Sequence, residues 1–142
     1  MPEADLTCDD RTESLHREYV LDVRIVAVDD DGATRYRFEA PNHEGKAFED
    51  PDLAELYADV YFDVNGFEEA GTGERGVPPV VIGAGRDTLA AYLLTLPGVD
   101  RHWVASFFGF KPPRVERHVD RVRTRAAEIR EGALERGVEA AR

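Results

Sequence analysis

The stretch Arg101–Ile129, RHWVASFFGFKPPRVERHVDRVRTRAAEI, decides the fold. Val104, Ala105, Phe107 and Phe108 are apolar, and Gly109 follows with the permissive backbone that closes a helix in a left-handed turn. Pro112 and Pro113 are barred from a helix interior but suit its first turn, where a missing N–H costs nothing, so a second helix is expected from Pro113 or Arg114. Val115, Val119, Val122, Ala126 and Ile129 then recur at steps of four, three, four and three, one face of an α-helical period. Arg114, Arg117, Arg121 and Arg125 keep the same rhythm on another face. One helix over 113–131 is predicted, with an apolar stripe toward a core and a cationic stripe toward solvent.

Just upstream, Asp87 or Thr88 is placed to cap a helix through Leu96, with Leu89, Tyr92, Leu93 and Leu96 facing inward before Pro97-Gly98 stops it. With 101–109 and 113–131 this makes a three-helix unit across 81–131, packed around Trp103, Val104, Phe107, Phe108 and Phe110.

The corner resembles the helix-turn-helix of transcription regulators. A small residue, Ala105, lets the second helix cross closely; Gly109, four residues on, makes the turn; Val115, six beyond it, anchors the second helix. The segment Val115–Val119, VERHV, is similar to a pattern seen in recognition helices, and the likeness covers about 30 of the 142 residues. It implies double-stranded DNA as partner and 113–131 as the recognition helix. Arg114, Arg117 and Arg121 would reach phosphates or guanine edges, Lys111 and Arg101 would lie near the phosphate backbone, and Glu116 and Asp120 would accept from cytosine or reject wrong sites. His118 is expected to be a tucked packing residue. A homodimer is also implied, since one short helix reads few base pairs and two half-sites about 34 Å apart multiply affinity. Its surface would be the hairpin described next or the helix at 52–64.

Charge supports placing any nucleic-acid contact at this end. The chain is −11 overall, yet residues 101–142 hold ten basic against six acidic residues, net +4, leaving −15 for residues 1–100. A duplex repels the acidic part and attracts the other. Two lysines against sixteen arginines, with 29 acids, is the balance of a protein kept hydrated in concentrated salt. There screening shortens electrostatic reach to about 3 Å near 1 M, so binding rests on close contacts.

Residues 1–17 are polar and without period, and a disordered leader is expected. From Glu18, EYVLDVRIVAV alternates as a strand; DDDGA, with Gly32 free to take positive φ, makes the turn, and TRYRFEA alternates again. A hairpin of about 18–28 and 34–40 follows. PNHEGKAFEDP reads as a loop ending in Asp50 or Asp52 as a cap, with Pro51 early in a helix over 52–64 that Gly66 ends. Its carboxylates Asp52, Glu55, Asp59 and Asp63 are expected to be a solvated face. Residues 132–142 are expected to fray. The fold class is therefore α+β: a small antiparallel sheet in an acidic region over 18–80, then the helix-turn-helix unit.

Other chemistry finds little support. GTGERG, Gly71–Gly76, fits a nucleotide-binding string but no strand precedes it and no helix follows. Val80–Ile82 leading into Gly83-Ala84-Gly85 looks like a dinucleotide-binding turn, yet Thr88 stands at the third glycine position, so a plain turn or a glycine-bearing helix is expected. Cys8 is alone, no Cys/His spacing suits zinc, and His16, His43, His102 and His118 have no nucleophile beside them. No cofactor, metal or enzymatic activity is expected, and no apolar run reaches membrane length, so the expectation is a cytoplasmic protein. An effector ligand is not identifiable from the residues. The alternative to a DNA-binding regulator is a non-enzymatic interaction or assembly module.

Overall fold

A two-residue turn sets the register of the sheet. Asp31 (φ 55°) and Gly32 (φ 84°) both take positive φ, the backbone that matches strand twist in a tight hairpin. They join β2 (Arg24–Asp30) to β3 (Ala33–Glu39), with Asp30 opposite Ala33 and Arg24 opposite Glu39. β1 (Thr12–Glu18) and β4 (Lys46–Phe48) add antiparallel on the two sides, giving four strands in the order β1-β2-β3-β4. The computed structural model describes residues 12–41, 43, 45–64, 66 and 77–136.

The sheet is larger than the expected hairpin. Residues 12–17, assigned to a disordered leader, form β1, whose side chains are exposed throughout and therefore show no apolar period. The expected strand at 18–28 is broken, because Leu21 and Asp22 both sit at φ 62° and Tyr19 N–H closes a turn onto the Val23 carbonyl. Tyr19, Val20 and Val23 are nonetheless buried, so the alternation there reports a packed turn rather than a strand. The presumed loop at 41–51 contains β4, too short to show a pattern.

α1 (Pro51–Asp63) lies across the sheet and forms the middle of the molecule. Asp50 caps it by accepting from Asp52 N–H at 2.8 Å, with Pro51 in the first turn. On the sheet side Ile25 and Phe38 face each other across β2 and β3, fully buried, and the Phe38 ring lies 5.0 Å from Tyr57 of α1. On the opposite side Tyr57 approaches Tyr92 at 6.3 Å. Burying each such ring is worth about 2–3 kcal/mol, so this aromatic column fastens the sheet to the helices. α1 is thus packed on two sides, against the sheet and against other helices.

Four more helices follow among the described residues: α2 (Pro79–Gly83), α3 (Arg86–Leu94), α4 (Arg101–Phe108) and α5 (Pro112–Glu135). Val80–Ile82 lie in helix α2, the glycine-bearing helix, and not in a strand entering a phosphate loop. Gly85 (φ 110°), not Asp87 or Thr88, stands at the N-cap of α3; those two side chains are turned to tertiary partners. α5 continues to Glu135, past the expected end at 131. GTGERG and residues 137–142 lie outside the described residues. Among the described residues no helix is long and apolar enough to cross a membrane.

Candidate nucleic-acid interface

The corner between α4 and α5 has the expected geometry. Asp100 caps α4 by accepting from Trp103 N–H at 2.9 Å. Gly109 closes the helix at φ 78°, and Phe110 N–H reaches back to the Ala105 carbonyl at 2.7 Å, the six-to-one bond of a glycine-terminated helix. α5 begins at Pro112. Ala105 and Val115, the close-approach and anchor positions, are both buried. Two prolines remove two of the N–H groups a helix start normally offers, and Arg114 N–H is bonded to the Lys111 carbonyl. An anion at this end must therefore be held chiefly by side chains.

Not all the aromatic residues of the corner are core. Val104 is buried and Phe108 and Phe110 are half-buried, but Trp103 is 46% and Phe107 58% exposed. They lie one turn apart on the side of α4 opposite Ala105 and stack in parallel, centroids 5.3 Å apart. The expectation that both fill the three-helix core is corrected: α4 is short, and its inward face is fully supplied by Val104, Ala105 and Phe108.

The residues singled out from the sequence cluster as follows. Lys111, Arg114, Arg117, Asp120 and Arg121 are exposed on and just before the first turns of α5. Arg114 lies over the Phe110 ring at 4.5 Å. Arg101 is ion-paired with Glu116, so these two are tied to one another across the corner. Arg121 touches Asp87 at 3.3 Å while remaining mostly exposed. Lys111, Arg114 and Arg117 have no carboxylate partner among the described residues.

Arg125 departs from the predicted solvent stripe. Its guanidinium donates to Asp63 at 2.8 and 3.0 Å and to Asp87 at 3.0 Å. Thr88 donates to the same Asp63 at 2.5 Å. Asp63 is nearly sealed, its side chain 4% exposed. The hydrogen bond to Asp63, then that to Asp87, raises the Arg125 pKa further above its ordinary value. Burial alone would raise the Asp87 carboxyl, but hydrogen bonds from His118, Arg125 and Arg121 outweigh it and hold Asp87 below the usual range.

The carboxylate stripe of α1 is corrected by the same contacts. Glu55, Asp59 and Asp63 form an ion-paired seam, and only Asp52, at the helix start, stays exposed as expected. Asp59 accepts from Arg130 at 2.9 Å and has Arg123 within 4.0 Å; Glu55 meets His16 at 2.9 Å and Arg17 at 3.4 Å. Desolvation raises the Asp59 pKa in spite of Arg130. The period gave each stripe; nothing local in the sequence says that the two stripes meet.

His118 is tucked in, as expected. Its ring stacks on Phe110 with centroids 4.9 Å apart, Nδ1 bonds Asp87, and the buried Nε2 has no partner. Nothing local in the sequence marks Asp63, Asp87 and Thr88 as orienting residues for α5, because their partners are 25 or more positions away, from Thr88–Asp63 at 25 to Arg125–Asp63 at 62. Among the described residues no group of His, Cys, Asp and Glu is arranged to hold a metal ion.

No family model, curated protein or solved structure matches this chain.

Proposed function

We propose that the protein binds double-stranded DNA through the first half of α5, as a regulator of transcription. The observation that carries this reading is the open ridge: Arg114 and Arg117, with Arg121 at its edge and Lys111 at its start, lie exposed on α5 beyond the Gly109 corner. In an acidic chain a cationic ridge left without carboxylate partners is suited to phosphate. Arg117 is the best placed to read a guanine edge, being exposed and free of ion pairs among the described residues; Asp120 beside it rejects alternatives. Glu116, held by Arg101, positions the corner rather than reading bases.

The test is fluorescence anisotropy against a pool of genomic duplexes, over a salt series that keeps the chain folded. Affinity that falls with salt and is lost on combining Arg114→Ala with Arg117→Ala is expected. Salt-independent binding, or none, removes the proposal.

A second reading, an interaction module, is favoured by the stacked Trp103–Phe107 pair, which points away from α5. Substituting Phe107→Ser separates the two: a binding surface for protein loses its partner, whereas DNA affinity is unaffected.

A further inference from the structure

The α5 ridge makes no use of the stacked pair Trp103–Phe107. Both rings are largely exposed, on the side of α4 opposite buried Ala105, and their planes lie within 9° of parallel. From this pair a series of aromatic contacts runs round the corner. Phe107 meets Phe108 with centroids 5.1 Å apart, Phe108 stacks on Phe110 at 5.3 Å, and the Arg114 guanidinium lies 4.5 Å from the Phe110 centroid. Arg114 is thereby held at the far end of a ribbon that begins with two exposed rings, and it meets no carboxylate among the described residues. Lys111, likewise exposed and without a carboxylate, follows Phe107 by four residues, so their Cα atoms are at most about 14 Å apart.

Charge decides what such a face takes up. From Arg101 to Arg117 the chain carries Arg101, Lys111, Arg114 and Arg117 against a single acid, Glu116. A second copy seated symmetrically on this face would bring like charges together, which costs energy. An acidic peptide satisfies the cations but has no flat group to match two parallel rings. A strand of unpaired nucleotides brings both, a planar base and a phosphate, at every unit. Base stacking is also an attraction that salt does not screen, which suits a chain whose 29 acids, sixteen arginines and two lysines are the balance of concentrated salt.

We propose that Trp103 and Phe107 are a stacking platform for the bases of single-stranded DNA, with Lys111 and Arg114 holding the adjoining phosphates. The choice of DNA over RNA rests on the duplex reading above. The platform itself lies on α4, which that reading leaves free, and it stands or falls by a separate measurement.

Trp103 is the sole tryptophan of the chain, so its fluorescence reports the stack directly. Titrating the full chain with an oligothymidylate of about 15 nucleotides should quench it. An abasic strand of the same length, which keeps the phosphates, should bind at least about fivefold more weakly and leave the fluorescence unchanged. Phe107→Tyr should bind like the unmodified chain. Phe107→Leu, which keeps apolar bulk and loses the flat face, should weaken binding at least about fivefold, the lower end for one stacked base. Phe107 is 58% exposed, so both variants fold. Failure of the duplex in the anisotropy series leaves each of these outcomes as stated. Equal quenching by the abasic strand or by polyglutamate, full affinity in Phe107→Leu, or tighter binding of the corresponding ribonucleotide strand overturns the proposal.

Discussion

The two halves of α5 carry arginine at similar spacing and put it to opposite uses. In the first half Arg114 and Arg117 meet no carboxylate among the described residues. In the second, Arg125 and Arg130 are spent on Asp63, Asp87 and Asp59. Neither the residue type nor the period differs. What differs is what lies opposite: the first turns of α5 pass beside short α4, which carries no acidic residue, whereas the later turns lie along α1 and its stripe of acids. An arginine stripe is thus a solvent feature only as far as its helix has no acidic neighbour.

The sharpest way to break that contrast is to take away the guanidinium of Arg125. Arg125→Met leaves Asp63 sealed with only Thr88 to bond it, and should cost about 2–3 kcal/mol of stability, a figure reduced because Arg125 itself is 40% exposed. Urea denaturation measures it, and a loss below about 1 kcal/mol would mean the two halves do not differ in kind. Arg117→Ala is the complementary experiment: about 1–3 kcal/mol of discrimination at one base pair should vanish in competition binding, with the denaturation midpoint unmoved. Lys111→Ala should instead weaken all duplexes alike and lower the salt slope by about one.

Acid titration sharpens the same contrast within the seam. Asp87 has a lowered carboxyl pKa, so its stabilisation is present above the ordinary aspartate range and is lost as pH falls through that range and below. Asp59 has a raised one, so its contribution runs the other way, present at low pH and lost as pH rises through its folded value. Asp87→Asn should therefore cost about 1–2 kcal/mol at neutral pH and nothing at the acid end, and Asp59→Asn should cost less at neutral pH. Equal losses would overturn the assignment of partners.

At the corner, a methyl group on Gly109 would meet no atom within 4 Å, so Gly109→Ala is penalised only by its φ of 78°. About 1 kcal/mol is expected by thermal melting, and a larger loss would show that the corner is crowded after all. Smallest of all, Phe107→Ser should shift stability by about 0.5 kcal/mol or less, since the ring it removes is more than half exposed.

Much of this molecule was legible in its residues. The Gly109 turn, the apolar stripe of α5, the Asp31–Gly32 hairpin and the Asp50 cap all rest on local rules, and each stands where those rules put it. The α+β class followed from them. The errors came where a local pattern has two physical meanings. Alternation at Tyr19–Val23 belongs to a buried turn, polarity at 12–17 to an edge strand wet on both faces, and aromatic bulk at Trp103 and Phe107 to the outside of a helix too short to bury two faces. Of the candidate site, the exposed positions of Lys111, Arg114, Arg117 and Asp120 could be foreseen from period alone. The fate of Arg125 could not, since its partners on α1 and α3 are reached only through the tertiary fold.

α5 is a single unbroken rod whose inner face, from Val115 through Val119 and Val122 to Ala126 and Ala133, is buried along its whole length. The corner is consequently not a detachable module. A fragment beginning at α3 would leave Arg123 and Arg130 without Asp59 and Arg125 without Asp63, and grafting the motif onto another scaffold would have to bring α1 with it. Melting should show one cooperative transition in which the sheet and the ridge are lost together, so whatever loosens the strands also disperses the arginines.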